Sequence, residues 1–144
     1  VYPVHLSPVV RECAFPILGG HDRIHLIDPV DVEEMHNLIA RCYMVMTDSG
    51  GLQEEAPALG KPVLVMRRET ERPEAITAGT AKLAGVEKNE IVRLANELLD
   101  NPDAYASMAK AVNPYGDGHA SERIVQAILW HFGRTAERSA DFGT

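Results

Sequence analysis

Residues 43–66 read YMVMTDSGGLQEEAPALGKPVLVM, and this stretch decides the fold. Tyr43–Thr47 is almost entirely apolar and predicts a strand buried on both faces, as in a parallel sheet. Asp48–Gly51 predicts a tight turn, Leu52–Leu59 a helix, and Pro62–Met66 a second strand. A strand, a helix and a strand joined by such short connections predict a βαβ unit with two parallel strands.

The same alternation of strands and helices continues on both sides of this stretch. It predicts an α/β fold, namely a Rossmann-like, open, doubly wound parallel sheet with helices on both faces. Ligands of such sheets bind beyond the carboxyl ends of the strands, here the loops after His5, Ile27, Thr47 and Met66. The other predicted strands are Val1–His5, Ile24–Ile27 and Thr80–Leu83, and the other predicted helices are Pro8–Leu18, Asp31–Arg41, Ala75–Ala78, Lys88–Leu99, Pro102–Ala111 and Ser121–Phe132.

Composition and charge narrow the class of protein. The 144 residues carry a formal net charge of −7, with 45% hydrophobic and 24% charged residues, as is typical of one folded domain. The acidic balance disfavours nucleic acid as the main partner. The sequence shows no signal peptide and no apolar run near the roughly 20 residues of a membrane span. We expect Cys13 and Cys42 to be inert packing residues, and their scarcity fits a cytoplasmic protein.

The two ends of the chain suggest a piece of a longer protein. Val1 opens on strand-like sequence without an initiator methionine or a helix cap. We therefore predict one domain over residues 1–133, as part of a longer protein. Residues 134–144 are small and polar, and we expect a disordered tail there.

The loop after the strand at Tyr43–Thr47 is the most informative candidate site. Ser49, Gly50 and Gly51 lie where a helix begins, and a helix N-terminus carries about half a positive charge. The two glycines allow an anion to approach the backbone, and the serine hydroxyl adds a donor, so the loop can cradle a diphosphate. The alternative is a simple helix cap and turn. Neither a P-loop nor a G-x-G-x-x-G fingerprint is present.

Charged residues follow this loop and the next strand. Glu55 comes one turn into the helix, where a carboxylate can accept hydrogen bonds from ribose hydroxyls or can simply be solvated. Arg67, Arg68 and Arg72 cluster after the strand at Pro62–Met66. The planar guanidinium suits phosphate, although salt bridges with the neighbouring glutamates are the alternative.

Histidines and one turn-rich segment complete the candidates. His5 ends the first predicted strand at the ligand-facing edge, where it can contact a ligand or make a structural hydrogen bond. His21 and His25 flank a turn rather than sharing a helix face, so we predict no metal site. Asn113–Gly118 is too compact for a linker, and its two glycines predict unusual backbone dihedrals.

These residues resemble a known family, the non-hydrolysing UDP-N-acetylglucosamine 2-epimerases. The resemblance spans roughly Val1–Phe132 and keeps the family's order and spacing. The motifs that carry it are Val1–Leu6, Thr47–Pro57, Gly60–Val65, Thr70–Glu74 and Asn113–Gly118.

The resemblance implies that residues 1–133 are the UDP-binding, C-terminal half of a two-domain enzyme of the glycosyltransferase-B type, lacking that half's first strand and helix. Such enzymes interconvert UDP-N-acetylglucosamine and UDP-N-acetylmannosamine by elimination and re-addition of UDP, and they need no redox cofactor. The implied partners are these nucleotide sugars, the enzyme's own N-terminal domain and, at full length, a second copy in a homodimer. The alternatives are the donor-binding domain of a UDP-sugar-dependent glycosyltransferase and a non-catalytic nucleotide-binding module.

The resemblance also implies roles for individual residues. No catalytic residue is expected here, because the family's acid and base lie in the N-terminal half, so this chain alone should be inactive. Met35 stands where an aromatic residue is frequent, so apolar contact is expected in place of ring stacking. The implied UDP contacts are Val30, Met35, Ser49, Gly50, Gly51, Glu55 and Arg72, with His5 as a contact of an additional, regulatory UDP-N-acetylglucosamine.

Overall fold

The structure is a computed structural model that describes residues 1–142. The chain divides into two compact units, Val1–Leu38 and Ile39–Thr144. The first unit holds β1 (Tyr2–Pro3), α1 (Pro8–Leu18), β2 (Leu26–Ile27) and most of α2 (Val32–Arg41). The second unit holds β3 (Val45–Thr47), α3 (Gly50–Ala58), β4 (Val63–Val65), α4 (Pro73–Ala78), β5 (Ala81–Leu83), α5 (Lys88–Asp100), α6 (Pro102–Ala109) and α7 (Ala120–His131).

The first unit is a βαβ unit in which α1 connects two parallel strands. Tyr2 pairs with Leu26, and the backbone N–H groups of Tyr2 and Val4 donate to carbonyls of the β2 segment at 2.8 and 2.9 Å. Pro3 lies between them and has no N–H to donate. The strand is shorter than predicted, and His5 lies beyond its end.

The second unit contains a three-stranded parallel sheet in the order β3-β4-β5. Thr47 lies opposite Val65, and Val65 lies opposite Leu83, so the carboxyl ends of the three strands share one edge. The connections through α3 and α4 are crossovers of the kind that parallel strands require. The prediction of an α/β fold with parallel strands is confirmed, and the described strands pair as one sheet of two and one of three.

The central strand of this sheet is more buried than the edge strand β3. β4 is buried along its whole length, and both α3 and α5 pack against it. β3 lies at the edge of the three-stranded sheet, and the side chain of Met46 is 40% exposed. The prediction that this strand is buried on both faces is therefore wrong at Met46. The core cluster beneath β4 consists of Leu64, Ala84, Leu94, Leu98 and Met108.

The predicted helices agree with the structure to within two residues at each end, and one of these differences concerns the site. α3 begins at Gly50, two residues before the predicted start, so both glycines belong to its first turn. Within residues 1–142, no helix combines the length and the apolar character that crossing a bilayer requires.

The segment after α7 contacts that helix. The carbonyl of Glu137 accepts a hydrogen bond from the Gln126 side chain at 3.0 Å, and the Ser139 hydroxyl donates to the Arg123 carbonyl at 3.2 Å. The disorder of the tail at residues 134–144 stays a prediction, and its last two residues lie outside the described part of the chain.

Candidate functional site

The first turn of α3 is the centre of the candidate site. Ser49 is the N-cap residue, with an extended backbone at φ −80° and ψ 132°, and its own N–H donates to the Thr47 hydroxyl at 3.0 Å. The N–H groups of Gly50, Gly51 and the following residue open the helix and have no carbonyl acceptor within it. Among the described residues, the Ser49 side chain makes no capping hydrogen bond. This end of α3 therefore presents backbone donors and a hydroxyl to an anion.

The two glycines bring charged side chains close to the backbone. A β-carbon placed on Gly51 would lie 3.3 Å from Oε1 of Glu55. A β-carbon placed on Gly50 would lie 2.5 Å from Oε1 of Glu71 and 3.8 Å from Nη2 of Arg72. Any side chain at position 50 would therefore displace the Glu71 carboxylate. Both carboxylates and a guanidinium thus lie close to the first turn of α3.

A chain of hydrogen bonds links this turn to the loop after β4. The Gln53 side-chain amide donates to the Ser49 carbonyl at 3.2 Å, and its oxygen accepts from the Thr70 hydroxyl at 2.5 Å. The Thr70 hydroxyl in turn accepts from the backbone N–H of Arg72 at 3.0 Å. Gln53 is fully buried, so its amide fixes the spacing between the start of α3 and Arg72.

The arginines after β4 form ion pairs. Arg67 pairs with a neighbouring glutamate, as the salt-bridge alternative predicts, whereas the partners of Arg72 and Arg68 lie farther away along the chain. Arg72 pairs with Glu54 on α3, and the resulting hydrogen bond raises the pKa of Arg72. Arg67 contacts Glu71 at 2.6 Å. Arg68, by contrast, is an exposed side chain 4.0 Å from Glu87. Arg72 therefore stays charged beside Gly50 while held by a glutamate of α3.

The Asn113–Gly118 segment reaches the same region through Tyr115. The Tyr115 hydroxyl accepts from the backbone N–H of Ala75 at 3.2 Å and donates to the Arg72 carbonyl at 3.5 Å. Burial raises the pKa of Tyr115, which keeps the hydroxyl protonated for this second bond. Gly116 and Gly118 have φ of +135° and +87°, which confirms the predicted unusual dihedrals.

Three of the predicted site residues lie in the first unit. His5 is exposed, and its Nδ1 accepts a hydrogen bond from the backbone N–H of Ser7 at 3.1 Å, which is the structural alternative predicted for this histidine. Val30 and Met35 are half-buried around the start of α2. Asp31 caps that helix, since its side chain accepts from the Glu34 N–H at 2.8 Å.

The structure therefore brings five predicted residues together at the start of α3, namely Ser49, Gly50, Gly51, Glu55 and Arg72. Sequence reasoning missed the parts played by Gln53 and Glu71. Thr70 lies 17 residues from Gln53 along the chain, and Gly50 lies farther still from Glu71, so no local pattern signals these two contacts. The described residues contain no cluster of three or more metal-ligating side chains.

The chain is an α/β protein with parallel βαβ units, and its polar site lies at the carboxyl ends of the strands. Proteins of this class bind their ligands at that position. The family model of UDP-N-acetylglucosamine 2-epimerase matches residues 1–129. The chain belongs to this family.

Individual relatives agree with this assignment. The UDP-N-acetylglucosamine 2-epimerase of Bacillus subtilis is 56% identical over 142 residues, which is 99% of this chain and 37% of that protein. The crystal structure assigned to a UDP-N-acetylglucosamine 2-epimerase from Listeria monocytogenes superposes with a TM-score of 0.93. Its sequence is 55% identical to this chain, and the match covers 99% of this chain and 38% of that one. A co-structure of S. aureus MnaA with UDP is 52% identical, with a TM-score of 0.90 over 99% of this chain and 39% of that one. The chain thus spans well under half the length of each of these proteins.

Proposed function

We propose that this chain supplies the UDP-binding part of an enzyme that interconverts UDP-N-acetylglucosamine and UDP-N-acetylmannosamine. The observation that carries the proposal is the first turn of α3, where Ser49, Gly50 and Gly51 present backbone donors beside Glu55 and Arg72. Family membership supports it, as does the co-structure with UDP of the S. aureus relative, which is 52% identical to this chain.

The proposed reaction breaks and remakes two bonds. A proton leaves C2 of the sugar while UDP departs from C1 with the electron pair of the C1–O bond, giving UDP and 2-acetamidoglucal. UDP then adds back at C1, and a proton returns to C2 on the opposite face. Since the product is an isomer of the substrate, the cycle consumes no oxidant or reductant.

In this proposal the chain binds the leaving group. Negative charge develops on the diphosphate as the C1–O bond breaks, and donors already aimed at that position stabilise it. The N–H groups of Gly50 and Gly51 and the hydroxyl of Ser49 are these donors, with Arg72 as a nearby positive charge. The acid and base that move the C2 proton belong to the part of the enzyme outside this chain, so the chain alone should not turn over substrate.

The other predicted contacts remain part of the proposal. Glu55 accepts hydrogen bonds from the ribose hydroxyls, and Val30 and Met35 contribute to the uracil pocket. His5 contributes to a second, regulatory site for UDP-N-acetylglucosamine. The proposal includes an N-terminal domain, a homodimer at full length and a cytoplasmic location, the last supported by the unpaired cysteines Cys13 and Cys42.

Calorimetric titration of the chain with UDP, CDP and ADP tests the proposal. UDP should bind best, and Glu55→Gln should weaken its binding about tenfold or more, because a hydrogen bond to a charged group contributes about 1.5–3 kcal/mol. Glu122→Gln removes the same charge from exposed α7 and serves as the control. Equal binding of the three nucleotides, or UDP binding unchanged by Glu55→Gln, would contradict the proposed site.

A further inference from the structure

The carboxylate of Glu71 lies beside Gly50, in the first turn of α3. The β-carbon that Gly50 lacks would lie 2.5 Å from its Oε1 and 3.6 Å from its Cδ. The missing side chain thus leaves a space that this carboxylate fills. A diphosphate bound to the first turn of the helix would need the same space, because both anions seek the positive end of α3.

Arg67 holds the carboxylate there, and the positive charge of Arg72 lies nearby. Arg67 contacts Oε2 at 2.6 Å, and Arg72 reaches the same side of Gly50. A backbone hydrogen bond from residue 71, together with the charges of Arg67 and Arg72, lowers the pKa of Glu71 and keeps it ionised. Its side chain is nevertheless 46% exposed, so it can rotate away without leaving a hole in the core.

We propose that Glu71 competes with the diphosphate of the nucleotide for the start of α3 and thereby weakens the binding of UDP. This inference rests on the proposed function. When the nucleotide binds, the Glu71 carboxylate turns outward and Arg67 loses its carboxylate partner and becomes available to a phosphate oxygen. Glu71 is therefore a positioning residue that sets how tightly the leaving group is held, and it takes no part in bond making.

Isothermal titration with UDP, on the chain and on matched variants, tests this inference. Glu71→Gln removes the competing charge and should tighten UDP binding about twofold to fivefold, the range typical of one partly exposed charge interaction. Glu69 is an exposed residue two positions before Glu71. Glu69→Gln removes one negative charge, as Glu71→Gln does, and should leave the affinity for UDP unchanged. Glu71→Asp keeps the charge but withdraws it by one methylene, and its affinity should fall between those of the wild-type chain and Glu71→Gln.

Uridine provides a readout that a purely structural role would not give. It lacks phosphate, so Glu71→Gln should change UDP affinity and leave uridine affinity unchanged. Equal gains for both ligands, an equal gain in Glu69→Gln, or no gain in a Glu71→Gln chain with wild-type circular dichroism would overturn the inference while the UDP site stands. If neither the wild-type chain nor any variant binds UDP, the proposed function fails and this inference fails with it.

Discussion

Replacing Gln53 by leucine should loosen the connection between the start of α3 and the loop that carries Arg72. The side chain is fully buried and makes two hydrogen bonds, one to the Ser49 carbonyl at 3.2 Å and one from the Thr70 hydroxyl at 2.5 Å. Leucine has a similar volume, so the substitution removes the polar contacts without opening a large cavity.

The expected loss follows from these contacts. Two hydrogen bonds at about 1 kcal/mol each give about 2 kcal/mol, and the Thr70 hydroxyl proton left without an acceptor adds up to about 1 kcal/mol. For a chain of this size, a loss of about 2–3 kcal/mol lowers Tm by about 5–10 °C. UDP binding should weaken as well, because Ser49 and Arg72 are no longer held at a fixed spacing.

Urea unfolding followed by circular dichroism measures the loss, and titration with UDP measures the effect on binding. Gln126→Leu is the matched control. Gln126 also makes two hydrogen bonds, to the Thr135 hydroxyl and the Glu137 carbonyl, but it is only half-buried and these bonds join α7 to the segment after it. Its replacement should cost about 1 kcal/mol or less and spare UDP binding. A Gln53→Leu chain as stable as wild type would refute the positioning role of this amide.

Two further predictions concern titratable groups. Hydrogen bonds from Arg123 and from a backbone N–H lower the pKa of Asp117 below its ordinary value of 3.8, so the folded state binds fewer protons than the unfolded state and stability falls as pH drops below about 4. Asp117→Asn should flatten the acid limb of a plot of unfolding free energy against pH, and an unchanged limb would contradict this. Cys13 is exposed whereas burial raises the pKa of Cys42, so Cys13 should react first with a thiol reagent, which mass spectrometry of the partly labelled chain can check.

Much of the fold could be predicted because its signals are local. Pro8 opens α1, the Asp31 side chain caps α2, and apolar runs mark β3 and β4. The apolar run Val1–His5 predicts a longer strand than the paired residues Tyr2 and Pro3, because the length of a strand depends on how far its partner runs beside it. Met46 is exposed because β3 lies at the edge of its sheet, and the order of strands is a property of the folded chain.

The start of α3 shows where local preferences compete. Glycine disfavours helix, which predicts a start at Leu52, but Ser49 takes the N-cap position and Gly50 opens the helix. The sequence does show that arginines and glutamates cluster near this loop. It does not show that Arg72 selects Glu54, 18 residues away, because that choice depends on how α3 and the loop after β4 pack.

The cysteines show the limit of neighbour-based reasoning. Apolar residues surround both of them in the sequence, which predicts that both pack into the interior. The structure bears this out in part for Cys42, which is half-buried, but Cys13 lies on the exposed side of α1. A helix presents only one side to the core, so apolar neighbours along the chain do not by themselves bury a residue.

The most direct test of the UDP site is a nuclear magnetic resonance titration of the ¹⁵N-labelled chain with UDP. If the first turn of α3 holds the diphosphate, the amide signals of Ser49, Gly50 and Gly51 should shift saturably, and these shifts should be among the largest in the spectrum. Saturable binding of UDP that moves other amides and leaves these three in place would contradict the proposal.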